Sequence, residues 1–132
     1  TRCLSDWSSD VCSSDLSGIL QNAQVFLATG GANVTSIDMV VFKANPTGTT
    51  FTDRAAPAIA AADLNKIVHV IHLTDKTMLG TAAVIQAADL DRVYKVASGV
   101  TQLWIAFIVY TGSSVTFTAA SDVSWAVQFQ QH

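Results

Sequence analysis

Two histidines in one apolar run are the first residues whose spacing suggests chemistry. His69 and His72 lie within residues 67–73, and imidazole nitrogens are common metal ligands. A spacing of three would place both rings on one face of a helix, whereas on a strand it places them on opposite faces. Because residues 67–73 have the apolar, β-branched character of a strand, the sequence predicts that the two rings do not bind one metal ion.

A second candidate is the pair of carboxylates at Asp89 and Asp91. On a strand they would share a face, which suggests a pair of carboxylates for general acid–base chemistry. Glycosidase chemistry, however, needs two carboxyl groups at a set distance across a cleft, which closeness in sequence does not supply. We therefore expect a solvated turn on either side of Leu90.

Three aromatic residues of the second half of the chain, Trp104, Tyr110 and Trp125, could stack on sugars. Such a platform needs its rings exposed in a row on one sheet face, and the same residue types also fill sandwich cores and subunit interfaces. A carbohydrate-binding β-sandwich module therefore remains an alternative. The chain has no G-x-S-x-G nucleophile elbow and no phosphate-binding glycine loop. We predict no catalytic, cofactor-binding or metal-binding residues, and no enzyme activity.

Residues 1–16 resemble a translated sequencing adapter. In a single reading frame, residues 6–16 read as the translation of a standard short-read adapter, and residues 1–5 fit its upstream index region. We expect this segment to be non-native and unstructured or adventitiously docked. We then assign no function to Cys3, Cys12 or Trp7. Residues 17–132 are left without cysteine, as a single domain that is expected to lack its true N-terminus.

Removal of residues 1–16 is expected to leave the thermal stability of the domain nearly unchanged, because an adapter-derived segment has no selected contacts with the core. Thermal unfolding of the 1–132 and 17–132 chains measures this directly. A melting temperature lowered by several degrees would show that the segment docks on the domain, as an exposed sheet edge allows.

The charge balance limits the classes of partner. The chain has a net charge of −3; Arg2, Asp6, Asp10 and Asp15 account for −2 of it, which leaves residues 17–132 nearly neutral. No basic run is present, so we predict neither nucleic acid nor an anionic membrane as a partner. The most apolar run, residues 103–110, is much shorter than the roughly 20 residues of a membrane-spanning helix.

Composition and periodicity together predict the fold class. The chain has no glutamate and little lysine, whereas threonine and valine are abundant, which favours strands over long amphipathic helices. Seven to nine short strands with regular turns predict an all-β fold, an antiparallel β-sandwich of jelly-roll or Greek-key type with one or two short helical turns. We predict strands at residues 24–29, 35–43, 67–73, 78–85, 93–98, 103–110 and 124–130, weaker ones at 49–53 and 115–118, and helical turns at 61–66 and 86–91.

Three of these strands have further expected properties. Residues 67–73 and 103–110 are apolar on both faces, which predicts burial on both sides and a central position for 103–110. Residues 124–130 alternate, so that Trp125, Val127 and Phe129 are expected to face the core and the residues between them to face water.

The segment 36–67 carries a family resemblance. An extended run ends at Phe42, a block N-P-T-G-T-T-F-T-D follows at residues 45–53, and an Ala/Asp helical turn comes next. Together with Leu-Gly-Thr at 79–81 and T-F-T-A-A-S-D at 116–122, this resembles small structural proteins of tailed bacteriophages that are common in environmental sequence. The Asp53-Arg54 pair departs from the Asp-Asn expected there.

That resemblance implies a non-enzymatic virion protein, capsid-associated or of the head-decoration kind. Its implied partners are the phage capsid or other virion proteins, and its implied assembly is a homo-oligomer. Such proteins act through surface complementarity, with apolar patches at their contacts.

Overall fold

The structure, a computed structural model, describes residues 17–51, 58–96, 100–113 and 115–131 of the chain. These residues form two antiparallel sheets and two 3-10 helices, which confirms the predicted all-β sandwich. The strands are β1 (Ser17–Leu27), β2 (Val34–Phe42), β3 (Ile67–Leu73), β4 (Asp75–Leu79), β5 (Ala82–Ala87), β6 (Arg92–Lys95), β7 (Trp104–Thr111) and β8 (Val123–Gln131), and the 3-10 helices are Ala61–Lys66 and Ala120–Asp122.

The larger sheet is organised around β1. Along one side, β1 pairs first with β6 and then with β5, while β8 pairs with it along the other side. The strand β4 extends this sheet beyond β5, and the smaller sheet has the order β3-β2-β7. The nested pairs β1 with β8, β2 with β7 and β4 with β5 follow the connectivity of a rolled-up hairpin, the jelly-roll type, but β3 lies beside β2.

The core lies between the two sheets and follows the alternation of the strands. On β2, Ile37, Met39 and Val41 face the larger sheet and are fully buried, as their period of two predicts. On β1, Leu20, Val25 and Leu27 belong to the same cluster. Each such side chain contributes roughly 1.5–3 kcal/mol by leaving water.

Several local predictions are wrong at strand ends. The predicted helical turn at 86–91 is absent, because Gln86 and Ala87 end β5 and the backbone of Asp89 and Asp91 is left-handed, with φ of 52° and 44°. The second helical turn lies at Ala120–Asp122 instead. Residues 115–118 and 49–51 form no strand, and residues 52–53 and 97–98 lie outside the described part of the chain.

The predicted strand 78–85 is a hairpin. Gly80, with a φ of +75°, turns the chain between β4 and β5, a left-handed conformation that glycine adopts without steric cost. Asp75 and Lys76 begin β4.

The two strands predicted to be buried on both faces are not. In β3 the outward side chain of Val70 is 44% exposed, and His72 is exposed as well. The strand β7, predicted to be central, lies at the edge of the smaller sheet.

Candidate functional site

The strand β7 is the most unusual surface of the described chain. It is the most apolar run in the sequence, yet among the described strands it pairs with β2 alone, and every one of its residues is at least partly exposed. Val109 and Tyr110 are 37% and 42% exposed. An edge strand has unpaired backbone N–H and C=O groups, so an apolar one invites pairing with another chain.

Two other edge strands carry charges that discourage such pairing, although β3 and β8, also at edges among the described strands, have no Asp, Glu, Lys or Arg. The strand β4 contains Asp75 and Lys76, and β6 contains Arg92 and Lys95. The strand β7 has no charged residue and no proline. It therefore lacks the features by which natural sheets usually protect an edge.

A groove of about 670 Å³ lies beside the first half of β7. Its far wall is the loop that follows β2, in which the Phe51 ring meets the Phe42 ring edge-on at 6.4 Å between centroids. Aromatic and aliphatic side chains dominate the lining, with a few polar groups among them: Phe42, Asn45, Pro46, Thr47, Thr49, Phe51, Trp104, Ile105, Ala106 and Phe107.

A buried carboxylate holds this loop in place. Asp63, in the first 3-10 helix, is fully buried, and its Oδ2 accepts a hydrogen bond of 2.7 Å from the Thr49 hydroxyl. Its Oδ1 lies 2.6 Å from Lys66 Nζ, which also donates to the carbonyl of Asn45 at 2.9 Å. The same Thr49 oxygen accepts the N–H of Ala60 at 3.0 Å. The loop from Asn45 to Thr49 is thereby fixed against the helix.

The electrostatics of this cluster favour the ionised carboxylate. Hydrogen bonds from Lys66 and then Thr49 lower the pKa of Asp63 below its usual value, against the opposing effect of burial. Sequence reasoning missed Asp63. The available signal was an aspartate in the first turn of a short helix with a lysine three residues later.

The three aromatic residues weighed as a sugar platform do not lie in a row. Trp104 and Tyr110 are near opposite ends of β7 and on its outer face, whereas Trp125 faces the space between the sheets. There Trp125 packs against Phe107 with ring centroids 5.7 Å apart. As the alternation of β8 predicts, Val127 is buried, while Phe129 packs edge-on against Tyr94 at 5.3 Å.

The two histidines lie on opposite faces of β3, as strand parity predicts. His69 Nε2 lies 2.6 Å from the carbonyl oxygen of Val93 on β6. His72 Nδ1 lies 2.5 Å from Asp38 Oδ1 on the outer face, and Asp38 Oδ2 accepts a 3.1 Å hydrogen bond from the Tyr110 hydroxyl. This bond raises the pKa of Tyr110 and fixes its ring on the outer face of the sheet.

The two carboxylates considered for acid–base chemistry are in a loop on the surface. Asp89 and Asp91 are exposed on either side of Leu90, whose N–H donates to the carbonyl of Gln21 at 3.0 Å. Leu90 packs against the core. The pair therefore brackets an anchored turn.

Two further kinds of feature are absent from the described residues. Nowhere in this part of the chain do three or more His, Cys, Asp or Glu side chains come together in a way that could hold a metal ion. None of the described helices has the length and apolarity needed to cross a membrane. No protein-family model, curated protein or solved structure matches the chain.

Proposed function

We propose that this protein is a non-enzymatic structural protein that works through protein–protein contacts, as a capsid-associated or head-decoration component of a tailed phage particle. The observation that carries the proposal is β7, an uncharged apolar strand exposed at a sheet edge. The resemblance of residues 36–67 to phage structural proteins supports the proposal that the protein is located in the virion.

The physical chemistry of this surface suits assembly. The edge of β7 that no other described strand pairs with offers backbone hydrogen bonds, and the adjoining groove offers apolar side chains such as Phe51 and Trp104. Backbone pairing at an edge provides affinity, and neighbouring side-chain pockets provide specificity. The Asp63 cluster fixes the wall of the groove before any partner arrives, which reduces the entropy lost on binding.

Co-sedimentation with capsid shells of the phage that encodes this chain tests the proposal. We expect the full chain to sediment with the shells and to reach saturation at a fixed number of copies per shell. Failure to bind the shells would contradict a capsid-associated role.

A glycan array run on the same protein separates the carbohydrate-binding alternative. The proposal expects no glycan signal above background. A signal that disappears in Trp104→Ala, and persists in the matched variant Trp125→Ala, would favour the carbohydrate-binding module, since Trp104 lines the open groove and Trp125 faces the other sheet.

A further inference from the structure

We propose that β7 pairs in antiparallel fashion with β7 of a second copy, across a two-fold axis that passes beside Phe107. The inference rests on the proposed function, because it assigns an occupant to the contact surface on which that function depends. Antiparallel pairing of one strand with its own copy is the arrangement that a two-fold axis generates at a sheet edge.

The faces of the strand restrict the register. Directly opposite residues in an antiparallel pair lie on the same face of the sheet. On β7, Trp104, Ala106, Ile108 and Tyr110 are on the outer face, and the residues between them face the larger sheet. A symmetric register must therefore be centred on a residue, not on a peptide bond.

A register centred on Phe107 pairs each apolar or aromatic residue of β7 with another such residue of the second copy. Trp104 then lies opposite Tyr110 of the partner subunit, and Ile105 opposite Val109 of the partner subunit. Ala106 lies opposite Ile108 of the partner subunit. A centre at Ile108 would leave Trp104 opposite Gly112 of the partner subunit, and a centre at Ala106 would place Tyr110 opposite Gln102 of the partner subunit.

The features at the two ends of β7 complement each other in this register. Tyr110 is exposed and held by Asp38, and the groove lies beside Trp104 at the other end of the strand. The two-fold axis therefore places Tyr110 of each copy beside the groove of the other copy. At the axis the two Phe107 rings meet, each already packed against Trp125 of its own chain, so aromatic contacts continue across the interface.

The size and charge of the surface suit a second copy. Eight strand residues span about 27 Å, and a two-sheet sandwich with its outer side chains is roughly 20 Å thick. The contact then buries on the order of 1,100 Å² in total, just above the approximately 1,000 Å² that a specific interface needs. Because β7 has no charged residue, two copies of it meet without repulsion.

Sedimentation velocity of the full chain, with one variant and one matched control, tests the inference. We expect the wild type to sediment as a dimer. Ile108→Lys places two ammonium groups near the axis and is expected to weaken dimerisation at least tenfold. Val70→Lys adds the same charge to the same outer face but on β3, at the opposite edge, and is expected to stay dimeric. Circular dichroism checks that both variants are folded.

A cross-link tests the register. In a chain with Cys3→Ser and Cys12→Ser, Phe107→Cys is expected to form a disulfide-linked dimer, since residue 107 faces itself across the axis. Val109→Cys, two residues along the same face, is expected to remain uncross-linked. Equal cross-linking of both would overturn the register.

The outcomes separate this inference from the proposed function. A monomeric wild type, or an Ile108→Lys variant that dimerises as well as the wild type, would overturn the inference. Hydrogen-exchange protection of β7 in a monomer would show that the chain covers its own edge. A monomeric wild type that binds the shells would contradict this inference but not the proposed function. A dimer that does not bind the shells would contradict the proposed function but not this inference.

Discussion

Replacing Phe42 with alanine is expected to lower the free energy of unfolding by about 3–5 kcal/mol. Phe42 is fully buried, although it ends β2 on the outer face of its sheet. The loop that carries Phe51 covers it, and Trp104 lies directly opposite it on β7. Removal of the ring therefore leaves a cavity beneath the loop and loosens the wall of the groove.

Urea unfolding followed by tryptophan fluorescence measures this loss, and Phe51→Ala is the matched control. Phe51 belongs to the same ring pair, but its side chain is 53% exposed. We expect the control to lose about 1 kcal/mol, since it removes a contact but opens no enclosed cavity. Equal losses in the two variants would show that Phe42 is not the buried member of the pair.

Asp63→Asn is expected to lower the melting temperature at neutral pH by on the order of 10 °C. The amide keeps the shape of the side chain but removes the negative charge that faces Lys66 Nζ. It also brings an N–H group into a site built from donors, namely the Thr49 hydroxyl and the Lys66 ammonium. The exposed replacement Asp89→Asn changes the net charge equally and is expected to leave the melting temperature unchanged, because asparagine tolerates the left-handed backbone there.

The same variant changes the acid dependence of stability. Because folding lowers the pKa of Asp63, the unfolded chain binds more protons as the pH falls. The stabilisation is complete above the unfolded value of about 4 and is lost as the pH drops through the lower folded value. Asp122, whose pKa is lowered by the N–H groups of Ala119 and then Thr118, contributes with the same sign. Below pH 4, the melting temperature should therefore decrease less steeply with falling pH in Asp63→Asn than in the wild type. Equal pH dependence in the two proteins would contradict the role assigned to Asp63.

The sequence was most informative where alternation is strict. The strand β2, predicted at 35–43 and observed at Val34–Phe42, has a clear core face, and β8 was predicted equally well. The first half of β1 was missed, since residues 17–23 are interrupted by polar Gln21 and Asn22, where the register with β8 shifts. Such an irregularity breaks the period of two from which strands are recognised.

The position of β7 could not be predicted from its own residues. Apolarity on both faces normally indicates a strand enclosed by neighbours, and only the pairing pattern shows that β7 has one neighbour among the described strands. A run that is apolar on both faces yet placed at an edge is what an interface strand requires. The apolar outer and inner faces of β7 are therefore consistent with our proposal that a second copy covers this strand.

The Asp63 cluster depends on contacts distant in sequence. Thr49 and Asp63 are brought together by the loop, and nothing in their two segments predicts that these side chains meet. The helical turn at 61–66 was predicted correctly, but the burial of its aspartate follows from the approach of residues 45–49. Local propensity contains no information about that approach.

The central place of β1 has a consequence for the way the chain reaches its folded state. All its neighbours, β5, β6 and β8, follow it in the sequence, and β8 is the last strand described. During synthesis β1 can therefore pair on one side only after β5 and β6 have left the ribosome, and its other side stays unpaired until β8 has followed. Such distant pairings close slowly and leave apolar segments open to aggregation in the meantime. We expect folding to be completed in a slow step in which β8 pairs with β1, and to profit from chaperones that shield β1 until then.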